Sequence, residues 1–560
     1  MNNHLLRRRT WLNSSWVLWI LIPAMVRADD EAPIQRKPIG VINVGGLDRA
    51  LSDLGGVFES ADRAEVSDLI GGYLAKVNDL KGVNRTKPFG IMFFLDSTDL
   101  PPSVKGVQYF PVDNLDDVLS SLGKVSLKPS KTEGKADHYE LKTPGPTLHA
   151  VVKQKYVYLV GSGDGAILDD ELPNPETAFA SQSQKYSLSL AAYVKNVPSL
   201  LKEVFLTYLR QSAEGQLQRR DGEKESEYRF RRANGVSTFK LIEQVAGQTE
   251  QLTLGVDAAK QTKLGVIELT IEATPDSEYL IYLKDLGNRP SMFEPLVNDQ
   301  QPLFFRGSWG IDAREKTWLT ETFTALENDS AAKIELEEAK PPLKKIFDSL
   351  RATADKGHLD FCLQFVPLSS QNFVFLGGVK IVGGGNLATG LNELFTLLKT
   401  RKGAEELQPD VDAHLGIIFH RFKGKNAPDR EVRLYGTEPA AYFGAGDRSL
   451  WFAVGGDQAL PKLKLAIDKV YGAAGAPTAW SGWPIQMIVR ANPWLELPEP
   501  DNDREKNREK VLKNAFQQQP DALRLELRPQ QTGAVIRVQL DQGYLRLLGT
   551  LVAKQLDRLQ

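Results

Sequence analysis

Two aspartates and two histidines near residue 410 have the strongest pattern for chemistry in this chain. They are Asp410, Asp412, His414 and His420. Even-numbered residues of one β-strand share a face, and carboxylates and imidazoles are common zinc ligands. The pattern therefore makes Asp410, Asp412 and His414 candidate metal ligands of a metal-dependent hydrolase. The competing interpretation is an exposed polar strand face, because each residue adds about 3.3 Å and the outer residues lie far apart.

Other familiar catalytic patterns are incomplete. The only cysteine, Cys362, lies in an apolar strand-like run, whereas a catalytic thiol needs an electropositive, partly exposed setting. We therefore expect Cys362 to be a small buried or half-buried filler, and a single cysteine excludes an intrachain disulfide. The loop at residues 161–165, Gly-Ser-Gly-Asp-Gly, has the spacing of neither a dinucleotide fingerprint nor a P-loop. Because Gly455-Gly456-Asp457 recurs later, we expect a structural turn with an aspartate helix cap, and no cofactor.

Residues 1–28 are typical of an export signal. Residues 7–9 are arginines, residues 16–25 form a short apolar segment, and Ala28 suits a cleavage site, so we expect Asp29 to begin the mature chain. About ten apolar residues are too few to span a bilayer, which takes about twenty. An uncleaved anchor is the alternative. Residues 8–12 resemble a twin-arginine signal, with a general secretory signal as the other option. We expect a periplasmic or secreted protein.

The composition and net charge of the chain limit the classes of partner that it could bind. The 560 residues are 42% apolar and 25% charged, a globular balance, and the length calls for more than one domain. Removing residues 1–28 takes away four arginines and no acid, which changes the formal net charge from −2 to −6. Mild acidity argues against nucleic acid and against electrostatic docking on anionic lipid. We expect a protein or cell-envelope component as partner, without strong membrane association after signal cleavage.

Four blocks recur in the same order and predict a tandem duplication, with units at 38–290 and 300–560. Residues 107–122 align with 379–394, so that Val107 matches Val379. Residues 141–161 align with 435–455, so that Tyr158 matches Phe452. The other blocks align 190–198 with 485–493, and Leu252 and Leu254 with Leu523 and Leu525. The apolar runs at 89–96 and 359–366 occupy equivalent places.

The predicted fold class is α+β, with antiparallel β-hairpins in each unit and helices packed on one face. The strand-like runs come two at a time across short polar turns, which is typical of hairpins rather than of a parallel sheet. Asp113 or Asn114 in the first unit, and Asn386 in the second, stand where helix N-caps are expected. Unit 1 carries a charged helical insertion at about 202–246, where acids alternate with arginines. This alternation favours a solvated helix face over an anion-binding patch.

Residues 111–123, 151–167 and 191–204 resemble, in this order, a large group of exported bacterial proteins of unknown function. The resemblance implies that the protein is exported and that it shares the architecture of this group. It implies nothing about activity, because the function of the group is unknown. The chain is duplicated but has no recognisable set of catalytic residues. This combination favours a non-catalytic extracytoplasmic protein with a binding or structural role at the cell envelope. The alternatives are a carrier of an apolar small molecule, held between sheet and helices, and the metal-dependent hydrolase.

Overall fold

The structure is a computed structural model of the chain. It describes residues 36–76, 78–96, 102–124, 128–143, 145–258, 260–334, 336–399, 406–424, 427–473, 482–497 and 503–558. The predicted export signal at residues 1–28 and the mature start at Asp29 lie outside the described residues. Within them, helices and strands are mixed, as the α+β prediction required.

Twenty strands alternate with the helices along the described chain. They are β1 (Gly40–Val44), β2 (Phe89–Asp96), β3 (Ser103–Pro111), β4 (Lys128–Lys131), β5 (His138–Lys142), β6 (Leu148–Lys153), β7 (Tyr156–Gly161), β8 (Leu188–Ala192), β9 (Thr249–Asp257), β10 (Gly265–Ala273), β11 (Leu303–Gly310), β12 (His358–Pro367), β13 (Phe373–Lys380), β14 (Leu407–His414), β15 (Ile417–Lys423), β16 (Ala440–Gly446), β17 (Ser449–Gly455), β18 (Ile485–Arg490), β19 (Ala522–Gln530) and β20 (Gly533–Leu540).

All twenty strands belong to one sheet, and every neighbouring pair is antiparallel. From one end to the other the order is β4, β5, β6, β7, β3, β2, β1, β8, β9, β10, β20, β19, β18, β11, β12, β13, β17, β16, β15, β14. We number the ten strands of each half from one to ten along the chain, so that β11 is the first strand of the second half. Counted from the outer end of the sheet towards its middle, both halves then have the order four, five, six, seven, three, two, one, eight, nine, ten.

Sixteen α-helices fall within the described ranges. They are α1 (Leu47–Ser60), α2 (Glu65–Lys76), α3 (Leu115–Lys124), α4 (Pro175–Ala178), α5 (Ala180–Lys185), α6 (Ser199–Leu217), α7 (Glu225–Gln248), α8 (Glu278–Asp285), α9 (Ala313–Ile334), α10 (Lys340–Lys356), α11 (Gly384–Lys399), α12 (Asp429–Tyr435), α13 (Ala459–Gly472), α14 (Asn492–Leu495), α15 (Asp503–Phe516) and α16 (Gln542–Asp557). Short 3-10 turns, among them Gly165–Asp169 and Glu294–Leu296, connect some of them.

Helices cover both faces of the sheet, so the prediction of helices on one face is wrong. On β7, Tyr158 packs with Ile167 of the Gly165–Asp169 turn, whereas its neighbour Leu159 packs on the other side with Val118 of α3. The second half shows the same division, because α13 covers Trp451 of β17 and α11 covers the opposite face. The unbroken apolar run of β7 is the sequence sign of a strand buried on both faces.

The residue-by-residue alignment of two blocks is off by an odd number of positions. Val107 faces the largest core of the first half, but Val379 packs on the opposite face of the second half, beneath α11. Similarly, Tyr158 is a core residue, whereas Phe452 lies between the core residues Trp451 and Ala453. Alternate strand residues point to opposite faces, so a shift of one residue exchanges inside and outside.

The two halves share one interface. Strand β10 pairs with β20 from Gly265 opposite Leu540 to Glu272 opposite Gly533. Helix α16, at the end of the chain, packs on α1 and α2, where Ala553 contacts the cluster of Phe58 and Val66. The two sequence halves therefore fold around a continuous sheet and cover parts of each other.

The predicted charged insertion is a helical hairpin of α6 and α7. Its turn is held by ion pairs, among them Arg231 with Glu223 at 2.7 Å and Arg229 with Glu225 at 2.8 Å. Helix α7 packs along α9, and the ring of Phe230 lies 6.4 Å from that of Trp318. The interleaved charges pair with each other, as the interpretation of a solvated helix face predicted.

Candidate binding surface

The predicted metal ligands lie on β14 but are held in separate contacts. Asp412 accepts a hydrogen bond from Lys464, and His414 Nε2 lies 2.6 Å from Asp468 Oδ1; both partners belong to α13. The Lys464 ammonium lowers the pKa of Asp412 below its ordinary value. Asp410 has a left-handed backbone, with φ of 52°, beside an irregularity in the β14–β15 register. This irregularity breaks the simple alternation on which the shared-face prediction rested.

The fourth residue of that pattern, His420, is buried on β15. Its ring stacks on Phe395 with centroids 4.8 Å apart, and its Nδ1 accepts a hydrogen bond of 3.3 Å from the Asp410 amide. Burial lowers the pKa of His420 below its ordinary value. In the described residues, no group of three or more His, Cys, Asp or Glu side chains is placed to hold a metal ion. The structure thus does not bring the predicted ligands together.

A serine–histidine contact that sequence reasoning missed lies on β11 and β12. Ser308 Oγ donates to the Arg289 carbonyl at 2.8 Å and lies 3.0 Å from His358 Nε2, while Lys380 Nζ lies 3.4 Å from His358 Nδ1. Burial lowers the pKa of His358 to about 4, so the imidazole is neutral at neutral pH. The hydroxyl proton of Ser308 is directed to the Arg289 carbonyl, which ties this side chain to the segment that covers the sheet.

Asp360 and Arg306 lie beside His358 and Ser308 on the same face of β12 and β11, and the four residues form a buried polar cluster. Asp360 is fully buried and accepts hydrogen bonds from Ser291 Oγ at 2.6 Å and from the Met292 amide at 2.8 Å. Burial raises the pKa of Asp360 to about 6. Arg306, also fully buried, pairs with Glu294, and burial lowers the pKa of Arg306. These contacts fasten the segment that contains the Glu294–Leu296 turn onto the sheet, which is a structural role.

The sequence contains one sign of this cluster, which is the presence of polar residues at every second position of two strands. Arg306 and Ser308 alternate with apolar or glycine positions on β11, and His358 and Asp360 do the same on β12. In sequence, such alternation also describes a strand with one face in solvent. Only the pairing of Ser308 opposite Asp360, beneath a covering segment, shows that this face is buried.

Cys362 and the glycine-rich loop have structural roles. Cys362 is fully buried in the core of the second half, and burial raises the pKa of its thiol, so the prediction of a filler residue is confirmed. The predicted aspartate caps are confirmed in position for one loop only. Asp164 is the N-cap residue of the Gly165–Asp169 turn, but its side chain makes no cap hydrogen bond, and its Oδ1 lies 3.8 Å from Lys105 Nζ. The residue at the N-cap of α13 is Gln458, not Asp457.

The carrier hypothesis expects an apolar ligand between the sheet and its helices, but in the first half the space between the sheet and α3 is filled. Beneath α3 the apolar side chains of β5, β6 and β7 leave a cavity of about 10 Å³, room for about one water molecule. Ligand pockets measure about 300–1,000 Å³. A larger apolar groove, of about 740 Å³, is lined by Val511 and Leu512 of α15 and Leu551 of α16, and it lies between two helices rather than against the sheet.

The outer face of α6 is the candidate binding surface. None of the 19 residues of α6 is buried, although the helix is rich in large apolar side chains. The exposed fractions are 54% for Leu200, 39% for Val204, 55% for Phe205 and 57% for Tyr208. Leu200, Val204 and Tyr208 are spaced by four residues and so lie one above another along the helix. We call the residues Leu200, Val204, Phe205 and Tyr208 the α6 stripe.

The side of α6 that faces its own hairpin partner is a different one. Leu206, Leu209, Ala213 and Leu217 are half-buried and follow the helical repeat. A side chain placed on Gly235 of α7 would meet Leu217, which shows how closely the two helices approach there. Helix α6 therefore has two apolar sides, one packed on α7 and one, the α6 stripe, in solvent. A helix that is apolar on two sides is ordinarily buried on both.

Comparison of the chain with protein-family models, with curated proteins and with solved structures found no match. None of the helices in the described ranges is both long enough and apolar enough to cross a membrane.

Proposed function

We propose that this protein is a non-catalytic, extracytoplasmic binding protein of the cell envelope and that the α6 stripe is the surface through which it binds. The observation that carries the proposal is the solvent exposure of four large apolar side chains on one 19-residue helix. Burying apolar surface is worth about 25 cal/mol per Å², so a partner that covers the stripe gains affinity from it. Contiguous exposed apolar patches are a mark of interaction sites.

The polar residues most suggestive of chemistry support the same proposal, because each has an intramolecular role. Asp412 and His414 contact α13, Ser308 donates to a backbone carbonyl, and Asp360 accepts two hydrogen bonds from the segment that covers it. None of these arrangements presents a nucleophile or base to a substrate. A role in binding needs no such group.

The extracytoplasmic location is proposed from the N-terminal sequence. Arginines at 7–9, the apolar residues 16–25 and the small residue Ala28 form the pattern of a cleavable signal. The single, fully buried cysteine is compatible with an oxidising compartment, because it leaves no accessible thiol to be oxidised.

We also propose that the chain arose by tandem duplication, with units near 38–290 and 300–560. The support is the order of the strands, which is the same in each half when counted from its outer end. The aligned sequence blocks lie on strands of equal rank, such as β2 and β12 or β8 and β18. The α6–α7 hairpin, which carries the α6 stripe, follows β8 in the first half, whereas α14 and α15 follow β18 in the second.

Site-specific photocrosslinking in the producing cells tests the binding surface. A photoreactive phenylalanine analogue replaces Leu200, and the matched control carries it at Ile281 of α8, which is 63% exposed but outside the stripe. We expect a discrete crosslinked species from position 200 and none from position 281. Crosslinks of equal yield at both positions, or none at position 200, would refute the stripe as a binding surface.

A further inference from the structure

We infer that the partner at the α6 stripe is a second copy of this chain, and that two α6–α7 hairpins pack face to face about a two-fold axis. This inference rests on the proposed function, because it names the occupant of the same surface. A two-fold interface uses one patch twice, so the patch must be complementary to itself. Because α7 packs on the opposite side of α6, the two α7 helices would lie on the outer sides of this pair.

The α6 stripe lies in an uncharged sector that suits contact with itself. With 3.6 residues per turn, about half of the circumference of α6 contains the stripe together with Leu201, Gln211, Ser212, Gly215 and Gln216, and no charged residue. Two copies of this sector in contact would bring no like charges together and would bury no unpaired charge. A partner that carries a strong charge of either sign would find no counterpart in this sector.

The charged residues of α6 favour a protein partner over a lipid surface. Helices that lie in a membrane interface carry an excess of lysine and arginine on their polar side. On α6 the two cations Lys202 and Arg210 are balanced by the two anions Glu203 and Glu214. The later part of the sector is also polar, with Gln211 and Ser212 in place of apolar residues. Such residues lose hydrogen bonds in lipid but can pair across a helix–helix contact.

The two aromatic residues of the α6 stripe set the direction of the helices. In an antiparallel pair whose axis passes between residues 206 and 207, Phe205 of each copy lies beside Tyr208 of the other. Aromatic pairs of this kind contribute about 0.5–1.5 kcal/mol beyond the burial of their surface.

The experiment measures the mass of the purified protein by sedimentation velocity and by light scattering across roughly 1–100 µM, a range that brackets dimers of micromolar affinity. We expect a mass twice that of the chain. Tyr208→Glu is expected to weaken the dimer by roughly thirtyfold or more, the effect of losing a central hot-spot residue. The control Ile281→Glu, at an equally exposed apolar position, is expected to leave the dimer unchanged. Matching thermal melts of both variants establish that each is folded.

A crosslinking variant tests the geometry even if a charged substitution disturbs α6. Because Cys362 is fully buried, Val204→Cys supplies the only accessible thiol. In the antiparallel pair the two Val204 positions lie within reach of a short bismaleimide, so we expect a covalent dimer, and none from Ile281→Cys. A dimer that crosslinks equally at both positions would overturn the inference.

Other outcomes separate this inference from the proposed function. A monomer up to 100 µM, or a dimer that Tyr208→Glu leaves intact, overturns the dimer at α6. If the photocrosslink at position 200 then joins a different protein, the binding function stands and the partner is not a second copy. Sedimentation with phosphatidylethanolamine–phosphatidylglycerol vesicles that depends on Leu200 would identify a membrane surface instead. If none of these occurs, both proposals fail.

Discussion

Replacing Asp360 by asparagine changes the charge of a fully buried group with little change in shape. Asp360 accepts hydrogen bonds from Ser291 and Met292, and burial raises its pKa to about 6 from the ordinary value of 3.8. A shift of about two pKa units corresponds to about 3 kcal/mol. Above pH 7 the folded protein therefore holds an ionised carboxylate at a cost of about 3 kcal/mol relative to the unfolded chain.

The direction of the pH dependence follows from the raised pKa. Between about pH 4 and pH 6 the folded state holds more protons on Asp360 than the unfolded state does. The free energy of unfolding therefore falls as the pH rises through this window, and it is level above it. Asp360→Asn removes the titration, so the stability of the variant relative to the parent protein should increase by about 3 kcal/mol between pH 4 and pH 8.

Urea unfolding at several pH values between 4 and 8 measures this difference. Tryptophan fluorescence and circular dichroism must give coincident transitions before two-state free energies are compared. Asp299→Asn, at an exposed position, is the matched control and should show no such change. If the difference in stability between Asp360→Asn and the parent protein is instead the same at pH 4 and at pH 8, then the pKa of Asp360 is not raised in the folded state and the reasoning from burial is wrong.

Three further results are expected. Glu268→Ala should destabilise the protein by about 3 kcal/mol in urea unfolding at neutral pH, because a buried carboxylate that pairs with Arg537 of the other half is lost. Burial alone would raise the pKa of Glu268, but hydrogen bonds from Lys185 and Tyr186 hold it below 4.5, so this loss should shrink only in strong acid; an unchanged midpoint at neutral pH would contradict the role. Cys362 should not react with Ellman's reagent until the chain is unfolded, when one thiol per chain appears, and reaction of the native protein would show that this part of the core opens. Mass spectrometry of protein from the producing cells should find Asp29 at the N-terminus, and a chain that retains residues 1–28 would disprove cleavage.

The sequence predicted the classes of elements well because local periodicity determines them. Apolar runs separated by short polar turns gave the hairpins, and Asn114 caps α3 by accepting a hydrogen bond from the Asp117 amide at 3.2 Å. The equivalent expectation for Asn386 was wrong, since α11 begins two residues earlier, at Gly384. A cap depends on where the backbone leaves the strand, which one side chain does not determine.

Contacts between distant residues were beyond local patterns. The ion pair of Arg63 with Asp557 joins residues 494 positions apart, and the packing of α16 on α1 follows from the pairing of the halves rather than from either helix. The register of β3 and β13 was also misjudged, because Val107 and Val379 are equally apolar. A strand with two buried faces lacks the alternation that would fix its register.

The buried polar cluster and the α6 stripe were missed for opposite reasons. Ser308 and Asp360 are polar residues that the fold buries, whereas Leu200 and Tyr208 are apolar residues that it exposes. A pattern of residue types predicts the average case, in which polar residues are outside and apolar ones inside. Both sets therefore required knowledge of which segments cover which strands.

The outermost strands of the sheet explain a feature that first suggested metal binding. An edge strand with unpaired amides is a template on which other chains can add strands and aggregate. Strand β4 has four residues, among them Pro129 and Lys131, and β14 combines Pro409, the left-handed Asp410 and the register irregularity. Proline cannot donate to an added strand, and a kinked or charged edge fits one poorly. The aspartates of β14 thus belong to an edge strand whose proline, left-handed residue and irregular register make it a poor template for an added strand.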